Sequence, residues 1–415
     1  MGEFQEFLRH VLIQLVVIIA AARLGAWLLG RVGQPQVVGE IVAGLVLGPS
    51  VLGRLAPGVV EYVFPAETER VFHVLSELGL VLLMFLIGLE FDFSHLRHMG
   101  RTAVGVAGAG IALPFALGVA LASWMYPFVA ADVSRIGFVL IVAVALSITA
   151  IPILGRIMIE LNIHRTPLGA LTITAAAIDD ALGWILLAGV GATIHGQFQP
   201  LLVARMGLAT LAFVAACWLI GRPLMARITE HLLRRADGEL SLGGLSLVLI
   251  AVLLAAAATS AIGIFAIFGP FVLGAVLSDR HEFRAAVQRR LRDLVFALLL
   301  PIFFTYTGLR TNVGLLETPF HWWLCGLLLA AATVGKVAGC GAAARLGGMS
   351  WRESGCVAVM MNTRALMGLI AINIGRDLGV MPDSVFCMLV IMALVTTFAA
   401  TPILRRILPD DVRGD

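Results

Sequence analysis

Two adjacent aspartates, Asp179 and Asp180, lie at the centre of an apolar stretch that reads LGALTITAAAIDDALGWILLAGVGATI. A charge in the middle of a membrane helix costs roughly 2.5–3.5 kcal/mol on insertion scales, so each carboxylate needs a partner or a purpose. Neighbouring helical residues point about 100° apart, so the two carboxylates face different surroundings. One can face an aqueous cavity while the other faces a neighbouring helix. The alternative is a polar pair that only fixes helix packing.

Lys336 is the only lysine of the chain and lies in the apolar stretch LLLAAATVGKVAGCGAAARLG. Unlike arginine, a buried lysine can give up its proton. Gly335 and Gly339 form a small-xxx-small pattern that lets another helix approach closely. We therefore expect Lys336 to be buried and paired with one of the two aspartates. The alternative is a side chain that extends towards the membrane surface.

Pro152 interrupts a third apolar stretch, VLIVAVALSITAIPILGRIM. Proline cannot donate the helical hydrogen bond to the carbonyl of Ile148, and the hydroxyls of Ser147 and Thr149 come just before it. The pattern predicts a break or kink with free oxygens. Proline kinks that serve only packing are also common in membrane helices.

The polar triplet Asn362, Thr363 and Arg364 interrupts a fourth apolar stretch, MMNTRALMGLIAINIG. A packing role alone explains such a triplet poorly. Two interrupted helices would offer opposed half-helix ends, with carbonyls directed towards a cation and amides towards an acid. The two interruptions together predict a binding site between them.

The composition identifies the elements that must position these residues as membrane helices. Hydrophobic residues make up 60% of the 415 and charged residues 13%, where soluble domains carry roughly 25%. A soluble fold is therefore excluded, and a net charge of +3 argues against nucleic acid as a partner. The five cysteines lack metal-ligand spacing, and no phosphate-binding loop, HExxH motif or nucleophile elbow occurs. We expect no cofactor and no enzymatic activity.

The chain is long enough for thirteen spans of about 20 apolar residues each. They are predicted near 7–30, 36–53, 71–91, 102–125, 136–158, 167–194, 203–221, 241–259, 262–279, 294–309, 320–344, 354–374 and 384–404. An odd number allows two six-helix repeats of inverted topology, 7–194 and 241–404, joined by a linker helix at 203–221. Residues 405–415 would form a short cytoplasmic tail. About 19 arginines fall on one side and about seven on the other, which predicts an outside N-terminus and a cytoplasmic C-terminus.

Four stretches make the chain similar to a known family along essentially its whole length. They are QPQVVGEIVAGLVLGPS at 34–50, ELGLVLLMFLIGLEFDF at 77–93, the ITAIP and AIDD pair within 148–180, and MMNTRALMGLIAINIGRDLGV with VIMALVTT within 360–397. With these motifs the chain resembles the monovalent cation:proton antiporter-2 family. The last stretch is particularly similar to plant cation/proton exchangers and potassium-efflux systems.

The resemblance implies thirteen helices split into a dimerisation domain and a core domain, with segments 5 and 12 unwound and crossing at the membrane centre. It also implies that Asp180 binds the cation and that Asp179 forms a salt bridge with Lys336. Relatives with two aspartates and a lysine tend to exchange two protons for one cation. The nucleotide-binding domain of potassium-efflux systems and the long tail of plant exchangers have no counterpart here, so gating of those kinds is not expected.

The function expected from the residues and the resemblance is electrogenic exchange of a monovalent cation for protons by alternating access. Na+ is favoured over K+ or Li+, although the Asn-Thr-Arg triplet is closer to the potassium-linked relatives. Asp180 would coordinate the ion together with Thr149, Ser147, backbone carbonyls or water. We expect a homodimer in a bacterial inner membrane with a role in pH homeostasis. The rival hypotheses are a potassium or other cation channel or uniporter, and a scaffold subunit of a larger complex.

Overall fold

Hydrophobic helices account for nearly all of the residues that the structure describes, as the composition predicts. A computed structural model describes residues 2–34, 36–90, 100–161, 163, 166–195, 200–225, 227, 240–263 and 265–408. Within these ranges every element of regular secondary structure is helical.

The α-helices are numbered in chain order. The first ten are α1 (Gly2–Gly30), α2 (Gln36–Leu47), α3 (Leu52–Leu55), α4 (Pro57–Val63), α5 (Glu69–Glu90), α6 (Gly100–Val129), α7 (Arg135–Ser147), α8 (Ile151–Glu160), α9 (Pro167–His195) and α10 (Pro200–Ala216). The others are α11 (Leu242–Ile262), α12 (Phe268–Leu277), α13 (His281–Leu294), α14 (Leu300–Leu309), α15 (Pro319–Leu346), α16 (Trp351–Met361), α17 (Ala365–Asp377) and α18 (Asp383–Ile407). Single π-helical turns continue α10 through Cys217–Gly221 and join α13 to α14 through Val295–Leu299.

Eleven helical stretches of the described chain are long and apolar enough to cross a membrane. Two further apolar helices, α7 and α12, are shorter. The 10 residues of α12 rise only about 15 Å, half of a bilayer core of roughly 30 Å. The sequence predicts a full span at 262–279, and α12 covers only its central part. The count of thirteen crossings and the inverted repeats stay predictions.

The arginine-rich stretch 281–294, predicted to connect two segments, folds as helix α13. Phe283, Val287 and Leu291 are buried at helical spacing, whereas the arginines of this helix occupy the other faces. The helix is therefore amphipathic, and its apolar face packs against the rest of the protein. At the other end of the chain, α18 continues to Ile407, so the predicted tail begins inside a helix.

One compact unit consists of Met1–Ile19, Phe64–Phe93 and Gly191–Tyr306. In it, α5 packs closely against α12 through two glycines. A Cβ atom at Gly88 would collide with the Phe271 carbonyl, and one at Gly274 would collide with the Phe85 carbonyl. The backbones can approach this closely because neither position carries a side chain.

The other compact unit consists of Ala20–Val63, Ser94–Val190 and Thr307–Asp415, and it contains the polar residues singled out in the sequence. Here α15 packs against α6, α16 and α18, and α17 packs against α7 and α18. A Cβ atom at Gly335 would lie 2.7 Å from Pro114 Cα, and one at Gly339 would lie 2.5 Å from the Ala109 carbonyl oxygen. The predicted close approach at these two glycines is confirmed, and α6 is the partner.

Side-chain caps fix where the helices of this second unit begin. Ser134 accepts a hydrogen bond from the Gly137 amide at the start of α7, and Thr318 accepts one from the His321 amide at the start of α15. Ser350 and Glu353 form a reciprocal capping box at the start of α16. Such caps supply partners for the first amides of a helix, which have none within the helix.

Candidate functional site

The first helix break separates α7 from α8. Helix α7 ends at Ser147, Ile148 has extended backbone angles, and α8 begins at Ile151. Pro152 is the second residue of α8, where a helix does not need the missing amide hydrogen. Proline thus permits a new helix to begin but prevents α7 from continuing through it. The predicted interruption lies at residues 148–150.

The second break separates α16 from α17 and consists of the predicted triplet. Helix α16 ends at Met361 and α17 begins at Ala365. The two breaks touch through their backbones. The Ala150 amide donates to the Thr363 carbonyl at 2.9 Å, and the Thr149 hydroxyl donates to the Met361 carbonyl at 2.9 Å. Each break therefore supplies partners that the other lacks because its helix stops.

Arg364 ties the second break to two other helices and is completely buried. Its guanidinium donates to the Leu146 carbonyl at the end of α7, and Nη2 donates to the Ala332 carbonyl of α15 at 2.8 Å. Its Nε lies 3.4 Å from the Asn362 side-chain oxygen. A guanidinium presents five donors in a fixed plane, so one side chain can bind the open carbonyl at the end of α7, a carbonyl of the continuous helix α15 and the Asn362 side chain at the same time.

Asp179 is the better satisfied of the two aspartates. Its Oδ1 lies 2.8 Å from Lys336 Nζ, and its Oδ2 accepts a hydrogen bond of 2.7 Å from the Thr149 amide. The Asp179 and Lys336 side chains are both 0% exposed. The carboxylate thus neutralises the only lysine and at the same time caps an amide of the first break.

Two glycines make room around this pair. A Cβ atom at Gly110 of α6 would lie 2.5 Å from Cys340 Sγ and 3.6 Å from Lys336 Nζ. A Cβ atom at Gly183, one turn beyond the aspartates, would lie 2.9 Å from an Ile148 side-chain carbon. Helix α9 therefore passes directly beside the first break.

Asp180 differs sharply from its neighbour. It is 0% exposed, and neither carboxylate oxygen has a hydrogen-bond partner among the residues that the structure describes. A buried carboxylate without partners is costly, and the cost falls when the group takes up a proton or a cation. The arrangement can therefore bind either species at the same oxygens.

Comparison with known proteins decides the family. A profile described as "Sodium/hydrogen exchanger, transmembrane" matches residues 17–409. The chain belongs to the sodium/hydrogen exchanger family. This is a family of cation/proton antiporters, which are membrane transporters. The membrane assignment made from composition agrees with it.

The chain has relatives in bacteria and plants and a structural match in an archaeon. It is 38% identical to the Na(+)/H(+) antiporter NhaS4 of Synechocystis, over 96% of this chain and 97% of that protein. It is 37% identical to cation/H(+) antiporter 18 of Arabidopsis thaliana, over 95% of this chain but 48% of that protein, so it spans about half of the plant relative. The sodium proton antiporter MjNhaP1 of Methanocaldococcus jannaschii has the same fold, with a TM-score of 0.60, 16% identity and 96% of each chain covered.

The remaining predicted site residues, Ser147, Asn362 and Thr363, lie at the two breaks but outside the contacts of Asp179. The Ser147 hydroxyl donates to the Ala143 carbonyl within α7 at 2.6 Å. Thr363 donates its hydroxyl to the Met360 carbonyl at 2.9 Å, and Asn362 Nδ2 lies 3.5 Å from the Thr333 hydroxyl. The structure thus brings Asp179 into direct contact with Lys336 and Thr149. Ser147, Asn362 and Thr363 have other partners.

Thr397 is a residue of the site that the sequence analysis missed. Its hydroxyl oxygen accepts hydrogen bonds from the Arg364 amide at 3.3 Å and from the Ala365 amide at 3.1 Å. It therefore caps the start of α17 from the neighbouring helix α18. Two consecutive threonines in the apolar run VIMALVTT were the available signal.

Proposed function

We propose that this exchanger moves a monovalent cation, Na+ in preference to K+ or Li+, against protons across the membrane. The observation that carries the proposal is the contrast between the two aspartates. Asp179 is neutralised by Lys336, whereas Asp180 is buried on the same helix and neither of its oxygens has a partner among the described residues. The preference for Na+ is supported by the similarity to the Na(+)/H(+) antiporter of Synechocystis, which matches along nearly its whole length.

Competition for Asp180 would couple the two fluxes. A cation bound to the Asp180 carboxylate, with the Thr149 oxygen, carbonyls of the breaks or water as further ligands, is displaced when the carboxylate accepts a proton. Thr149 and Ser147 already donate their hydroxyl protons to carbonyls, so their oxygens present lone pairs. That geometry suits a cation, since oxygen lone pairs are the ligands of hard ions.

The Asp179–Lys336 pair would carry a second proton. In this proposal the pair takes up its proton when Asp180 takes up the first one. Two protons against one monovalent cation make the exchange electrogenic. Alternating access, the homodimer, the outside N-terminus and a bacterial inner membrane location belong to this same proposal.

Proteoliposomes with an imposed pH gradient test the proposal. Addition of Na+, Li+ or K+ to the outside should drive proton movement, with Na+ the most effective. Asp180→Asn should abolish it, whereas Asp132→Asn, which changes an exposed acid between α6 and α7, should leave it intact. A potential-sensitive dye should report net charge movement during exchange.

Other outcomes would contradict the proposal. Cation current without coupled proton movement would indicate the channel or uniporter. Proton movement that persists in Asp180→Asn would remove the carboxylate from the mechanism. Absence of any cation-dependent flux in the unmodified protein would favour a scaffold role.

A further inference from the structure

An apolar groove lies between α15, α16 and α18. It encloses about 390 Å³, within the range of roughly 300–1,000 Å³ that is usual for ligand pockets. Its walls include Val334 of α15, which is 59% exposed, and Val395 and Ile403 of α18, which are 42% and 41% exposed. The helices that form it belong to stretches that are long and apolar enough to cross a membrane.

The polar groups at the floor of the groove already have partners. Asn362 Nδ2 and the Thr333 hydroxyl lie 3.5 Å apart, and the Thr396 hydroxyl donates to the Met392 carbonyl at 2.9 Å. A ligand that seeks hydrogen bonds would find few here. Hydrocarbon fits this lining, because burying apolar surface needs no polar partner.

The length of the groove matches one leaflet. Along α15 it extends from Gly326 to Val337, a rise of about 16 Å, and along α18 from Val395 to Ile403, a rise of about 12 Å. Half of a hydrocarbon core of roughly 30 Å is about 15 Å. One acyl chain of a phospholipid therefore spans the groove.

Arginines gather at one end of the three helices. Ile403, the last groove residue of α18, precedes the exposed Arg406 by about one turn. Exposed Arg345 at the end of α15 and exposed Arg352 at the start of α16 belong to the same end. The Arg345 guanidinium lies 5.3 Å from the ring of Trp351, which is 76% exposed. Arginine with exposed tryptophan is typical of the level of lipid headgroups.

We propose that this groove binds an anionic phospholipid. One acyl chain would lie against Asn362 at the second break, and the phosphate would lie near Arg352 and Arg406. Asn362 also accepts from Arg364 Nε, so the bound chain covers the residue next to the anchor of the second break. The occupant is a lipid of the surrounding membrane and is independent of the transported ion.

Native mass spectrometry of the purified, delipidated full-length protein tests the groove. Phosphatidylglycerol should bind about tenfold tighter than phosphatidylcholine with the same acyl chains, since only the headgroup charge differs. Ala330→Trp fills the groove and should weaken phosphatidylglycerol about tenfold. Ala338→Trp is the matched control, because Ala338 is exposed on the same helix but does not line the groove.

A second pair of variants separates charge from shape. Arg352→Gln with Arg406→Gln should bring phosphatidylglycerol down to the affinity of phosphatidylcholine, whereas Arg70→Gln at the exposed start of α5 should not. Soluble glycerol phosphate should bind far more weakly than the lipid. Equal binding of the two lipids, an effect of Ala338→Trp as large as that of Ala330→Trp, or equal binding of glycerol phosphate would overturn the proposal. So would a change in dimer fraction with unchanged lipid binding in Ala330→Trp.

Discussion

The two helix breaks touch each other but are stabilised by different side chains. At the first, between α7 and α8, the Thr149 amide is bound by Asp179, whose charge is balanced by Lys336. At the second, between α16 and α17, Arg364 binds carbonyls of neighbouring helices. Carboxylates and lysine can change charge, whereas arginine keeps its charge in proteins. The first break is therefore the responsive half of the site, since the charges of its side chains can change, and the second break is the fixed half.

The fixed half should be the more sensitive to removal of its anchor. Arg364→Met leaves the Leu146 carbonyl and the Asn362 side-chain oxygen without their donor, and it removes an additional donor from the Ala332 carbonyl of the continuous helix α15. At about 1–3 kcal/mol for each buried unsatisfied group, the loss is about 5 kcal/mol, enough to eliminate most folded protein. Thermal unfolding in detergent and the monodisperse fraction on gel filtration measure this loss.

Arg364→Lys is the control for charge alone. It keeps a cation but replaces the planar fork by a single ammonium, so it should recover only part of the lost stability. Full recovery by lysine, or a wild-type melting temperature for Arg364→Met, would show that the carbonyl contacts are not what holds the second break.

The responsive half should show strong coupling between its two charges. Asp179→Asn leaves Lys336 buried without its carboxylate and should cost about 3 kcal/mol, as should Lys336→Met, which leaves the opposite charge unpaired. The double variant removes both charges and should be more stable than either single variant. Melting temperatures of the four proteins form a double-mutant cycle. Purely additive losses would contradict the coupling.

Loss of one threonine hydroxyl at each break should have the smallest effect on stability, and the two variants should differ in transport. Thr149→Val and Thr397→Ala each remove one buried hydroxyl and should each cost about 1 kcal/mol. Only Thr149 is proposed to contact the ion, so only its variant should raise the Na+ concentration that gives half-maximal proton movement. An equal shift in Thr397→Ala would erase this distinction between the two breaks.

The residue types predicted the position of both breaks and the burial of Lys336 beside an aspartate. Proline cannot continue a helix, and a polar triplet or a lone lysine in an apolar run stands out because the surrounding residues offer no other place for charge. Residue types alone left open which aspartate pairs with Lys336. The resemblance to a family assigned that role to Asp179.

The contacts that hold the crossing could not be predicted in the same way. Arg364 binds the carbonyls of Leu146 and Ala332, and every residue has a carbonyl, so no sequence pattern marks the two that are used. The caps supplied by Thr397 come from another helix and depend on packing. Helix α12 was expected to begin earlier, since the preceding residues Ala266 and Ile267 are apolar but lie in a turn.

The missing partners of Asp180 bear on how well such a carrier would conserve energy. In the proposed exchange, a bare carboxylate would have to remain buried during any crossing without cargo, at a cost of several kcal/mol. A penalty of about 4 kcal/mol makes such empty crossings about a thousandfold rarer. Tight stoichiometry, and with it protection of the ion gradient from slippage, would then follow from hydrogen bonds that Asp180 does not make to any residue the structure describes.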